Sequence, residues 1–129
     1  MVIVDSSVWI DLLRGNQTSE TAAFERFAAV EEIGLGDLIL FEVLQGVSPV
    51  GKLEKVKSSM LTFPVFTMGG RDMCLEAVHN SHKMRAQGFQ VKTVDCLIAT
   101  FCIVSGYRLL SSDQGFRRFE EVLGLVLAK

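Results

Sequence analysis

The feature that most constrains the fold is a set of short apolar runs spaced between longer segments of helical periodicity. Val2-Ile3-Val4 comes first, and Ile33-Gly34-Leu35, Pro64-Val65-Phe66, Arg108-Leu109-Leu110 and Leu125-Val126-Leu127 follow at wide intervals. Runs this short and apolar suit strands covered on both faces, which is how parallel sheets are built. The intervals are long enough for the crossover helices that parallel strands require. The expectation is an α/β protein with three layers, α/β/α, around a mostly parallel sheet of four to five short strands. No repeat, low-complexity tract or linker interrupts the pattern, so the 129 residues read as one domain with one sizeable core.

The intervening segments carry helix punctuation. Asp5-Ser6-Ser7 offers capping side chains ahead of Val8, Trp9, Leu12 and Leu13, and Gly15 suits the left-handed end of that helix. A second helix begins at Thr18 or Ser19 with Ala23, Phe24, Phe27 and Ala28 on one face. Asp37 is placed to cap a helix that holds Leu38, Phe41 and Leu44 and stops near Gly46. Pro49 suits the first turn of another, reaching about Leu61. A long helix runs from Arg71 to about Gln87 and ends at Gly88. Thr93 is placed to cap a helix closed by Gly106, and a short helix from about Gln114 to Val122 precedes the last strand.

Charge narrows the function classes. Thirteen basic residues against 15 acidic ones give a formal charge of −2, which argues against a basic coat that grips nucleic acid. It leaves room for a nucleic-acid enzyme that works through metal ions, because a bound cation reverses the local sign. No uncharged run reaches the ~18 residues of a membrane helix, and Asp5 stops the apolar start, so a cytoplasmic protein without signal peptide or membrane association is expected. Cys74, Cys96 and Cys102 are odd in number, lack C-x-x-C spacing and lie in apolar stretches, as buried structural thiols do.

Four acids stand apart from the rest. Ligands of open parallel sheets bind beyond the carboxyl ends of the strands, near the point where strand order reverses. That rule singles out Asp5, directly after the first strand, and Asp113, just past Arg108-Leu109-Leu110. Asp95 falls in the first turn of its helix, where the helix dipole favours a carboxylate. Glu42 sits among Leu40, Phe41, Val43 and Leu44, a setting in which a carboxylate needs a partner. Each has an ordinary reading as well: a cap for Asp5, a first-turn acid for Asp95, a turn residue for Asp113, a partly exposed acid for Glu42. If the four converge they repel, and a divalent cation is the natural compensation. Oxygen ligands without thiol or imidazole neighbours favour Mg²⁺, with Mn²⁺ able to substitute, over Zn²⁺.

On four segments the sequence resembles the PIN-domain ribonucleases, and among them the VapC toxins of toxin–antitoxin pairs. They are Val2 to Asp11, Leu40-Phe41-Glu42-Val43-Leu44-Gln45-Gly46, Thr93 to Ala99, and Leu109 to Phe116. Their order and spacing, more than any one motif, carry the likeness, which spans nearly the whole chain. The resemblance implies a PIN-like fold and Mg²⁺-dependent endonucleolytic cleavage of RNA. It also implies a cognate VapB-like antitoxin as partner, and a homodimer. Matched position by position, Asp5, Glu42, Asp95 and Asp113 form the acidic quartet that holds metal, and Ser6 the small hydroxyl residue that supports the first acid. One position departs: many relatives carry a further acid before the last motif's phenylalanine, where this chain has Gly115. Two metals are therefore not assumed.

Lys83, Arg85 and Lys92 precede Asp95, and Arg108, Arg117 and Arg118 lie around Asp113. Each reads first as part of a solvated helix face, with phosphate contact as the alternative, for which Lys92 and Arg117 are the candidates. Trp9, Leu12, Leu13, Phe24 and Phe27 read as core packing, with a hydrophobic groove for an antitoxin segment as the alternative. His79 and His82, three apart beside Glu76, read as exposed helix residues, since a di-iron site needs the Glu-x-x-His motif twice. Other functions stay open: a PIN-like RNA-binding module without activity, or an Asp-centred phosphoryl-transfer domain. The phosphatase pattern wants a second Asp where Ser7 stands, and a receiver wants paired acids ahead of its nucleophile, which this chain lacks.

Overall fold

A computed structural model describes residues 1–129. Four strands form the sheet: β1 (Val2–Val4), β2 (Ile33–Gly36), β3 (Val65–Phe66) and β4 (Arg108–Leu110). Their order is β3-β2-β1-β4 and every pairing is parallel. Val2 stands between Ile33 and Arg108, which fixes the register of the three strands that bear on the site. Both inner strands are buried at every residue. Apolar runs without alternation are what such a position demands. The chain builds outward from β1 through β2 to β3, then returns to the far side of β1 as β4, so the strand order reverses between β1 and β4.

Seven α-helices cover the sheet: α1 (Ser6–Arg14), α2 (Ser19–Val30), α3 (Asp37–Gln45), α4 (Leu53–Met60), α5 (Arg71–Ala86), α6 (Thr93–Ser105) and α7 (Phe116–Leu123). α1 packs on α2 and α3, and α3 on α4; α5, α6 and α7 pack on one another. The two helix groups and the sheet make the expected three-layer α/β/α architecture. A cluster of 25 buried residues forms the core. Trp9 lies inside it, its indole N–H donating to the Val4 carbonyl at 2.9 Å and its ring edge-on to Phe24 and Phe63 at 5.4 and 5.1 Å. No helix is long and apolar enough to cross a membrane.

The strand Ile33–Gly36 is weak as a sequence signal because of its two glycines, yet both are required. A Cβ on Gly34 would lie 2.8 Å from Ile3 Cδ1 and from Met1 Sδ, and one on Gly36 would overlap the Met68 side chain. These glycines let neighbouring side chains press onto the strand, a recurrent reason for glycine inside a sheet.

Several expectations change in detail. Leu125-Val126-Leu127 forms an isolated parallel bridge, Leu127 to Leu109, in place of a fifth strand. Leu125 and Ala128 are buried while Val126 is exposed, so side-chain burial, more than a ladder, holds the segment. The short helix starts at Phe116, not Gln114, because Asp113 to Gly115 form a turn. Asp37 is the first residue of its helix, with Gly36 at the cap; its Oδ1 accepts from the N–H groups of Leu38 at 2.8 Å and Met68 at 3.0 Å. Thr93 likewise begins α6, with Lys92 at the cap position. Proline 49 precedes a short 3-10 turn, Val50–Lys52, and α4 follows it. Among the cysteines Cys96 and Cys102 are buried as expected, but Cys74 is only half-buried, its thiol donating to the Gly69 carbonyl at 3.4 Å. His79 and His82 are exposed on α5.

Candidate active site

The reversal between β1 and β4 opens a cleft at the carboxyl ends of those strands, and Asp5, Glu42, Asp95 and Asp113 all line it. Its volume is about 400 Å³. Asp5 follows β1 directly, and its main-chain N–H donates to the Leu110 carbonyl at 2.9 Å, which ties the acid to the end of β4. Glu42 comes from the sixth position of α3, and Asp95 from the third of α6. Asp113 comes from the turn after β4. Ser6, Ser7 and Lys92 complete much of the remaining wall.

Asp5 occupies the cap position of α1 with extended backbone, but its side chain makes no capping bond. Its Oδ2 instead accepts from the Ser7 and Ser111 hydroxyls, both at 2.9 Å. Ser7 Oγ in turn accepts from the Ser112 N–H at 3.1 Å, and Ser111 Oγ from the Asp113 N–H at 3.0 Å. The side chain is 5% exposed at residue level, and two hydroxyls fix its orientation. The serine that holds Asp5 is therefore Ser7; Ser6 lines the cleft but makes no side-chain hydrogen bond.

Electrostatics mark the cleft as strained. Burial pushes the Glu42 carboxyl above its usual range, the charges of Asp5 and Asp95 push it further, and Lys92 opposes them. Burial also raises Asp95, with Asp113 and Asp5 adding to it and Lys92 again opposing. One carboxylate oxygen of Glu42, Oε1, is buried without a hydrogen-bond partner. A buried polar atom left unpaired costs about 1–3 kcal/mol. Beneath the site, burial and the Asp5 charge push the Cys102 thiol to about 12, so it stays protonated and inert.

Residues 2–122 match the PIN domain family. The chain belongs to that family. Over 115 residues it is 29% identical to Ribonuclease VapC19 of Mycobacterium tuberculosis, covering 88% of this chain and 89% of the relative. Among solved structures it is similar to VapBC2 from Rickettsia felis bound to a DNA fragment from their promoter. That likeness has a TM-score of 0.79 at 15% identity, over 98% of this chain and 97% of the other. It is also similar to Mycobacterium tuberculosis VapC20, a Sarcin-Ricin loop cleaving toxin, with a TM-score of 0.66 at 17% identity over 91% and 93% of the two chains.

The PIN-domain cleft suits a hard divalent cation by its donor chemistry: only carboxylate and hydroxyl oxygens, mutually repelling acids, and an unpaired buried oxygen on Glu42. No group of three or more His, Cys, Asp or Glu side chains is arranged to hold an ion by itself.

Of the basic residues named from sequence, Lys92 lines the cleft. Arg117 lies on an adjoining cleft that Asp113 also borders. Arg108 is engaged elsewhere, hydrogen-bonded to Glu31 and lying over the Phe27 ring, and Arg118 lies over Phe89. Trp9 and Phe24 are core residues and do not form a groove, whereas Leu13, read as core with them, is exposed. A groove exists nonetheless, of about 480 Å³, between the opposite face of α1 (Ile10, Leu13, Arg14), Val43 and Val47 near the end of α3, and Val56 of α4. Ser7 and Ser111, whose hydroxyls hold Asp5, are the cleft residues that sequence reasoning missed. Only the density of hydroxyls beside Asp5 and before Asp113 pointed to them.

Proposed function

We propose that this chain is a metal-dependent endoribonuclease, and the toxin of a pair with a VapB-like antitoxin. The observation that carries the reading is the meeting of Asp5, Glu42, Asp95 and Asp113, from four separate elements, in one cleft at the strand reversal. Asp5, the most buried of them, is held by hydroxyls and does no capping. The similarity to Ribonuclease VapC19 supports RNA as substrate, and the likeness to VapBC2 supports an antitoxin partner.

In this reading Asp5 and Asp95 hold Mg²⁺ directly or through water, with Glu42 and Asp113 completing the cluster; Mn²⁺ can substitute. The ion supplies charge to a phosphate oxygen and lowers the pKa of a water. Ser7 and Ser111 keep the Asp5 carboxylate aimed at the cleft, a service that costs ten- to a hundred-fold when removed from comparable sites. Lys92 stands at the rim, where its ammonium can meet a backbone phosphate. The α1–α3–α4 groove offers Ile10, Leu13, Val43 and Val56 to an apolar antitoxin segment. Work in a cytoplasmic setting follows from an RNA substrate.

The test is cleavage of RNA with Mg²⁺, with EDTA, and by the Asp5→Asn and Asp95→Asn variants. Cleavage that needs the metal and falls at least about a hundredfold in each variant is expected. Metal-independent cleavage, or full activity in both variants, overturns the mechanism. Co-expression of a neighbouring small antitoxin frame that restores growth tests the partner.

A further inference from the structure

Beside the carboxylate cleft lies a second one of about 350 Å³, floored by Ala23, Leu110 and Leu127. Arg26 of α2, Arg117 of α7 and Lys129 line it, against the acids Glu20 and Asp113. Asp113 borders both clefts, so the second adjoins the proposed metal site at that residue. None of the four ion pairs in the molecule includes Arg26, Arg117 or Lys129, nor does any side-chain hydrogen bond. Glu20 is engaged by the Ser19 hydroxyl at 2.8 Å. Like charges converge here from three distant parts of the sequence without partners in the protein.

We propose that this cleft holds the backbone phosphates of single-stranded RNA next to the scissile bond, with Arg26 and Arg117 as the phosphate-binding residues. The inference rests on the ribonuclease reading of the adjoining site. Planar guanidinium groups, unpaired and water-facing, match phosphate geometry. No aromatic side chain lines the cleft, so it holds backbone without stacking bases. Contact of this kind positions a strand and carries no sequence preference. It also explains how a chain of net charge −2 engages RNA: once the quartet is set aside, 11 acids remain against 13 basic residues, and two of those bases flank the site.

The test measures binding of fluorescein-labelled oligouridine by anisotropy in EDTA, where no hydrolysis occurs, across a salt series. The Arg26→Ala/Arg117→Ala variant should bind roughly tenfold more weakly, and its slope of log K against log salt should be shallower by about 0.7 for each lost phosphate contact. The Arg26→Lys/Arg117→Lys variant should recover most of the affinity, and Lys55→Ala, on the exposed face of α4, should match the parent. Circular dichroism melts confirm that the variants fold. Unchanged affinity and salt slope in the double alanine variant overturn the inference while leaving Mg²⁺-dependent cleavage intact. Unchanged RNA binding together with loss of an acidic polyglutamate ligand also overturns it, in favour of a protein partner. Absence of cleavage by the parent with Mg²⁺ overturns the ribonuclease reading and leaves the anisotropy result standing on its own.

Discussion

Replacing Glu42 with glutamine keeps the side-chain shape and removes one charge from the cleft. Burial is the main cause of the raised Glu42 carboxyl; repulsion from Asp5 and Asp95 adds to it and attraction to Lys92 opposes it. Removing the charge therefore relieves both the desolvation and the repulsion. Two unit charges about 4 Å apart interact by ~1 kcal/mol in water and ~4 kcal/mol at an effective dielectric of 20. Glu42 is half-buried in an open cleft. The lower part of that range applies, and about 1–2 kcal/mol of relief is expected. For a chain of this size that is a rise in melting temperature of about 4 °C per kcal/mol. Metal works the other way: at Mg²⁺ ten times its Kd the parent gains ~1.4 kcal/mol from binding, the variant gains less, and the variant's advantage shrinks. Thermal melts by circular dichroism at pH 7.5, in EDTA and over a Mg²⁺ titration, should show the variant more stable at first and the advantage lost as Mg²⁺ rises. A variant less stable in EDTA, with an unaltered Mg²⁺ response, would refute the argument. Glu42 would then be a structural acid.

Two further outcomes follow from the same geometry. Ser111→Ala removes a hydroxyl that donates to Asp5 and steadies the Asp113 main chain, and should lower Mg²⁺ affinity or cleavage rate by about ten- to a hundred-fold. Isothermal titration and single-turnover kinetics would read it, and parent-like values would exclude a positioning role. Without metal, the raised carboxyl groups of Glu42 and Asp95 make the folded chain bind more protons than the unfolded one above their ordinary values near 4.5 and 3.8. Stability from these two groups is therefore present at low pH and is lost as pH rises through the raised values. Urea denaturation in EDTA between pH 4 and 8 should show the parent losing stability relative to the Glu42→Gln variant as pH rises, and a parallel pair of curves would contradict this.

The acids were legible in the sequence because each occupies a place with its own physical signature: a strand end for Asp5 and Asp113, a first turn for Asp95, a greasy helix face for Glu42. The parallel sheet was legible for the same reason, since three-residue apolar runs have few alternatives. The hydroxyl network was not. Ser111 meets Asp5 across 106 positions, and nothing local separates Ser6 from Ser7 as the donor. Nor could sequence tell Arg117, free on a cleft, from Arg108 and Arg118, which are held by Glu31 and Phe89. Leu125-Val126-Leu127 reads as a strand because its composition is right, but strand length depends on the neighbour it finds, and here that is one bridge to Leu109.

Gly115 connects the site's charge to its shape. Its backbone, at φ −59° and ψ −26°, is ordinary right-handed helix, so conformation does not require glycine there. Its close neighbour is Asp113: a Cβ here would lie 3.1 Å from Asp113 Oδ1, so that side chain would have to give by a few tenths of an ångström, and the same oxygen accepts the Gly115 N–H at 2.8 Å. A side chain at this position crowds Asp113, and an acidic one would add a like charge beside it. The main-chain N–H at this position holds one oxygen of Asp113, and glycine adds no side chain to crowd that carboxylate. With glycine in place of an acid here, the site has less negative charge to compensate. That matches its setting, a cleft where Lys92 is the one cation facing four acids.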